Sequence, residues 1–146
     1  MSKLELVFKE KSKRILNVYC TAGYPSLDST MKVMTSLQKN GADIIELGMP
    51  YSDPLADGEV IQVSSIKALA NGMNIAVLFD QIKDMRKSIS IPVILMGYMN
   101  PILQYGFENF CKYWATTLKS LSLPVVAEEL TAYKNPLLKL SNFFTL

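Results

Sequence analysis

Two carboxylates have a setting that suits chemistry. Glu46 interrupts the apolar run Ile44-Ile45-Glu46-Leu47, where an ionised carboxylate is costly unless it is paired or at work. A carboxyl in such surroundings is suited to taking up and returning a proton. Asp57 follows across a loop crowded with turn residues, Pro50-Tyr51-Ser52-Asp53-Pro54-Leu55-Ala56-Asp57-Gly58. A strand-end carboxylate and a loop carboxylate can converge on one cleft and run general acid–base chemistry there. On residue type alone, Glu46 is as readily a hydrogen-bonded structural acid. Asp53 and Asp57 are as readily turn formers, and Tyr19 and Tyr98 core aromatics with one wet end.

Other chemistries are removed by what the chain lacks. There is no histidine among its 146 residues, which excludes serine-type triads, histidine bases and most zinc sites. The two cysteines, Cys20 and Cys111, have no metal spacing, and Cys20 reads as a small core residue. No metal site is expected. Net charge is only +2 and the basic residues are spread, so nucleic acid is not an expected partner. The short basic run Lys9, Lys11, Lys13 and Arg14 reads as a solvated helix end. The polar start from Met1 to Arg14 is unlike a signal peptide. No apolar run approaches the ~18–20 residues of a membrane span. A soluble, cytoplasmic protein is expected, with 49% hydrophobic residues to fill a core.

The elements that must position the two acids follow from periodicity. Ser2–Ser12 reads as a short helix and Ile15–Cys20 as a strand that leaves through Thr21-Ala22-Gly23-Tyr24-Pro25. Ser26 or Asp28 can cap a helix carrying Met31, Met34 and Leu37, which Asn40-Gly41 ends. Ala42–Met49 is the second strand. Val60–Ala70 is expected to be helical with Ile61, Ile66 and Leu69 inward. Asn74 then caps a cleaner helix, with Ile75, Leu78, Phe79, Ile82 and Met85 on one stripe. Ile91–Met96 is the third strand and Gly97-Tyr98-Met99-Asn100-Pro101 its exit loop, before a helix over Phe107–Trp114 with Phe107, Phe110 and Trp114 on one side. Strands alternating with helices predict a parallel sheet with right-handed crossovers. The strands are nearly continuous apolar runs, as when both faces are covered. The loops at Thr21–Pro25, Pro50–Gly58 and Tyr98–Pro101 then share the carboxyl-end face, where such folds keep their chemistry.

The string Glu46-Leu47-Gly48-Met49-Pro50-Tyr51-Ser52-Asp53-Pro54-Leu55-Ala56-Asp57-Gly58, followed by Val60-Ile61-Gln62, resembles the signature of the tryptophan synthase alpha subunit family. Met49, Glu59 and Val60 are its departures from the commonest form. Thr21-x-Gly23-x-Pro25 is similar to that family's first-strand motif, and Gly41-Ala42-Asp43 stands at family spacing. Met96-Gly97-Tyr98-Met99-Asn100-Pro101 with Tyr105-Gly106-Phe107 is similar to its third-strand motif. The resemblance implies a partial (β/α)8 TIM barrel of about the first four to five β/α units. It implies a lyase that cleaves indole-3-glycerol phosphate to indole and glyceraldehyde 3-phosphate in tryptophan biosynthesis. Glu46 would be the general acid–base, and Asp57 would stabilise positive charge on the indole nitrogen. Tyr19 and Tyr98 would line the substrate pocket. Tyr51, Ser52, Asp53 and Pro54 would belong to a loop that meets the beta subunit. No cofactor is implied for this chain, since pyridoxal phosphate belongs to the beta subunit.

The resemblance covers roughly residues 15–112. One domain over 1–146 is expected, family-like to Lys112 and diverged from Tyr113 onward, where the family's Gly-Val-Asp-Gly segment is absent. Leu118–Leu123 reads as a weak strand, Glu128–Lys139 as a helix and Asn142–Leu146 as the start of a fifth strand. A full barrel needs ~250 residues, with phosphate loops after its seventh and eighth strands. The expectation is therefore low activity for this chain alone, with self-association through open sheet edges. The alternative is a non-catalytic remnant or a fragment that docks a beta subunit. A different phosphate-handling barrel lyase or isomerase fits the acidic signature poorly.

Overall fold

A computed structural model describes residues 3–117 and 121–122. Four strands form one parallel sheet in the order β1 (Asn17–Thr21), β2 (Ile44–Gly48), β3 (Val93–Met96) and β4 (Leu121–Ser122). Helix α1 (Lys3–Glu10) precedes β1, and α2 (Ser29–Lys39) links β1 to β2. Helices α3 (Glu59–Ala70) and α4 (Ile75–Ile82) with one 3₁₀ turn link β2 to β3, and α5 (Met99–Tyr105) and α6 (Phe107–Thr117) link β3 to β4. The alternation and the parallel pairing are as expected, and β4 falls within the weak strand read at Leu118–Leu123. The readings at Glu128–Lys139 and Asn142–Leu146 lie outside the described residues, as does the Trp114 side chain.

The core lies between the sheet and its helices. Ile45, Leu47, Val93 and Leu95 alternate along β2 and β3 and are fully buried. They meet the α4 stripe, of which Ile75, Leu78, Phe79 and Ile82 are buried. Asn74 caps α4 by accepting the Val77 amide at 3.0 Å. Phe79 stacks on Tyr113 with ring centroids 4.4 Å apart and meets Tyr105 edge-on at 5.6 Å. The opposite face of the sheet carries Tyr19, Glu46, Ile94 and Met96, all half-buried.

Three local readings need correction. Helix α3 turns Ser64, Ser65 and Ala68 inward, while Ile66 is 59% exposed and Val60 and Val63 face solvent with it. The reason is close packing on β1: the Thr21 hydroxyl bonds the Ser64 hydroxyl at 2.7 Å inside the structure, a contact that a large side chain would prevent. Asp28 occupies the cap position of α2 but makes no cap bond; its carboxylate pairs with Lys32 and accepts from Ser26. Met99-Asn100-Pro101 is the first turn of α5 rather than loop, an N-terminal place where proline is tolerated. Lys9, Lys11, Lys13 and Arg14 are exposed as expected, and Lys11 pairs with Asp43. Among the described residues, no helix is long and apolar enough to cross a membrane.

Candidate active site

Parallel register sets the first pair. Tyr19 on β1 stands beside Glu46 on β2, which stands beside Ile94 on β3. Glu46 is the one residue of β2 that is not fully buried, so its carboxylate reaches the wet face instead of the core. Asn17, two residues before Tyr19 on the same face of β1, donates from Nδ2 to Glu46 Oε1 at 2.7 Å. Asn17 escaped the sequence reading. Its signal was a polar residue opening an apolar strand at the same side-chain parity as Tyr19.

The Tyr19 ring lies across Gly48. A Cβ at Gly48 would overlap the Tyr19 hydroxyl, so a glycine at the end of β2 is what lets the phenol in. Burial pushes the Tyr19 hydroxyl above its ordinary value of 10.0, opposed by the Thr21 hydrogen bond and assisted by the charges of Asp57, Cys20 and Glu46. The charges of both carboxylates add to the rise at this one phenol, behind burial as its first cause. Register brings Glu46 beside Tyr19.

Asp57 sits half-buried where the loop meets α3. Its amide bonds Pro54 O at 3.1 Å and its carbonyl accepts from Gln62 Nε2 at 2.7 Å. Burial raises the Asp57 carboxyl above the ordinary 3.8, and a hydrogen bond from Tyr98 works the other way. Tyr98, at the exit of β3, takes the Ala56 amide on its hydroxyl at 2.9 Å. Burial is the first cause raising the Tyr98 hydroxyl, and the Asp57 charge adds to it. Among the loop residues, Tyr51 is half-buried, Ser52 and Asp53 are exposed, and Pro54 is buried. Tyr51 packs on Tyr98 with centroids 5.1 Å apart, and its hydroxyl accepts from Asn100 Nδ2 at 2.8 Å.

A cleft of about 360 Å³ opens on the helix side of this loop, bounded by Tyr51, Ser52, Asn100 and Tyr105. None of Tyr19, Glu46, Asp57 or Tyr98 borders it. The cleft therefore lies apart from Glu46 and Asp57, against the helices. Among the described residues, no group of three or more acids or cysteines is placed to hold a metal ion.

Residues 6–137 match the family model described as the tryptophan synthase alpha chain. The chain belongs to that family. The alpha chain of Flavobacterium johnsoniae is 55% identical over 103 residues, which are 70% of this chain and 41% of the relative. That of Phocaeicola vulgatus is 50% identical over 112 residues, 77% of this chain and 43% of the relative. The crystal structure of the Legionella pneumophila alpha subunit superposes with a TM-score of 0.80 at 34% identity, covering 95% of this chain and 55% of that one. Tryptophan synthase of Mycobacterium tuberculosis, in its aminoacrylate-bound form, gives a TM-score of 0.82 at 28% identity over 98% of this chain and 59% of that one. The fold is thus a partial (β/α)8 barrel of the alpha family. The chain spans about two fifths of the length of the curated relatives it matches.

Proposed function

We propose that this chain supplies the proton-transfer part of a carbon–carbon lyase site that cleaves indole-3-glycerol phosphate to indole and glyceraldehyde 3-phosphate. The observation that carries the reading is Glu46 on the wet face of β2, in register with Tyr19 and bonded to Asn17, with the Asp57 loop leaving the carboxyl end of the same strand in an alpha-family fold. Glu46, on the wet face, protonates the ring carbon of indole and takes the proton of the glycerol hydroxyl as the carbon–carbon bond breaks. Asp57 meets the positive charge that develops on the ring nitrogen. Tyr19 and Tyr98 line the pocket. Tyr51, Ser52, Asp53 and Pro54 meet the beta subunit, which carries the pyridoxal phosphate; this chain's own chemistry calls for no cofactor. A cytoplasmic location fits such a role.

Phosphate binding in β/α barrels comes from loops after the seventh and eighth strands. The described residues hold four strands, so remote binding energy of that kind has no source among them. Indole release from indole-3-glycerol phosphate, with and without a beta subunit, tests the reading. Low turnover that disappears in both Glu46→Gln and Asp57→Asn is expected. Turnover that survives either substitution overturns the assignment of the pair. The exposure of Ser52 and Asp53 on the loop favours a second reading, a non-catalytic piece that docks the beta subunit. Binding to that subunit with no indole release under any condition identifies it.

A further inference from the structure

We propose that Tyr98 is the positioning residue for Asp57: its hydroxyl clamps the acid loop to the start of α5, and Tyr51 and Asn100 brace it. The hydroxyl has one proton to give and lone pairs to receive. It receives the Ala56 amide at 2.9 Å, and its proton acts to lower the pKa of the neighbouring Asp57 carboxyl. The hydroxyl thus holds the loop backbone one residue before the acid.

The brace is visible in the geometry. The Tyr98 ring lies on Tyr51 at 5.1 Å and 35°, and Asn100 holds the Tyr51 hydroxyl at 2.8 Å. Tyr98 and Asn100 flank the first residue of α5, while β2 and β3 end side by side with Gly48 paired to Met96. The clamp therefore joins the exits of adjacent strands. The loop has need of it, because Ser52, Asp53, Leu55 and Ala56 are all exposed. A carboxylate carried on such a segment keeps a fixed position only if something outside the segment holds it. The consequence for proton chemistry rests on the lyase reading above; the clamp itself does not.

The test uses the full chain and no turnover. Tyr98→Phe keeps the ring on Tyr51 and removes the hydroxyl. Two quantities are read by NMR: amide exchange at Ala56, and titration of the Asp57 carboxyl carbon. Exchange at Ala56 is expected to quicken by about tenfold, with Ile45 and Leu47 unchanged. The Asp57 midpoint is expected to move up by about half a unit to one unit, since its charged form loses a donor. Asp57→Asn gives the reciprocal reading and does not depend on how Tyr98→Phe folds. With the acid's charge gone, the Tyr98 phenol should titrate at lower pH. Unchanged Ala56 exchange and Asp57 titration in Tyr98→Phe overturn the proposal, as does an unmoved Tyr98 in Asp57→Asn. A failed lyase assay leaves both readouts intact, so the two ideas fail separately.

Discussion

Gly48→Ala is the sharpest probe of how the site is assembled. Gly48 ends β2 with the Tyr19 phenol lying across it, and a Cβ there would fall inside the volume of the hydroxyl and its ring carbons. Backbone strain is not the issue, because Gly48 is not among the glycines with positive φ. The whole cost is therefore steric and belongs to Tyr19. Overpacking of this kind costs roughly 1–3 kcal/mol. A loss of about 2 kcal/mol, with an m-value of about 2 kcal/mol per molar urea, lowers the unfolding midpoint by about 1 M. In a Tyr19→Ala background the obstruction is gone, so the same alanine at Gly48 should cost close to nothing, a coupling of about 2 kcal/mol in the double-mutant cycle. A second signature accompanies it. The displaced phenol moves toward water and titrates nearer its ordinary value of 10.0, since burial is the main cause of its raised pKa. An equal cost for Gly48→Ala with and without the Tyr19 ring would refute the reasoning.

Three further outcomes are expected. Phe79→Ala should destabilise the fold by about 4 kcal/mol and Phe79→Leu by about 1–2 kcal/mol in urea titrations, because the ring is fully buried and touches Tyr105, Phe110 and Tyr113. Burial pushes the Cys20 thiol from 9.0 to about 11, so the folded state prefers the neutral form. Its contribution to stability is full below the unfolded value and is lost as pH rises from about 9 through about 11, and Cys20 should resist iodoacetamide at pH 8 until urea is added. Thr21→Val removes the bond to Ser64 and should cost about 1–2 kcal/mol; in a Ser64→Ala background most of that loss should vanish, as read by thermal unfolding.

The fold was legible wherever burial has a period. The α4 stripe from Ile75 to Ile82 is set by one buried face, so spacing alone identifies it, while Met85, read as its last member, is buried from the 3₁₀ turn that follows. The strands were legible because the runs are apolar, although one face of the sheet is only half-buried and β1 begins at Asn17, two residues after Ile15. Helix α3 was legible as a helix, but its inward face was not. Val60, Ile61, Val63, Ile66 and Leu69 surround the helix, and choosing the largest as inward is wrong where the neighbour is a strand at hydroxyl-to-hydroxyl distance. Small polar residues win there because only they allow the approach, and this depends on Thr21, far away in the chain. Glu46 and Asp57 stood out, one as a charge in an apolar strand and the other at the end of a turn-rich loop. Of the groups that hold them, Asn17 did not, and Tyr98 stood out only as a pocket residue. Asn17 and Tyr98 act through register and loop closure, which have no local periodicity.

This division explains why about four β/α units suffice to build the acid pair. Each contact that sets Glu46 comes from β1 or β2, and each that sets Asp57 comes from the loop, α3 or the exit of β3. Adjacent parallel strands pair through short-range crossovers, so their carboxyl ends come into register without help from the far side of a barrel. Gly48 shows the economy of the arrangement: one missing side chain at a strand end admits the phenol that stands in register with Glu46. Substrate grip differs in kind. A phosphate held across a barrel needs loops from strands on the opposite side, and no local packing among β1, β2 and β3 can substitute for them. On the lyase reading proposed above, proton transfer and phosphate binding are separable, and substitutions at Asn17, Gly48 and Tyr98 are expected to act on the first alone.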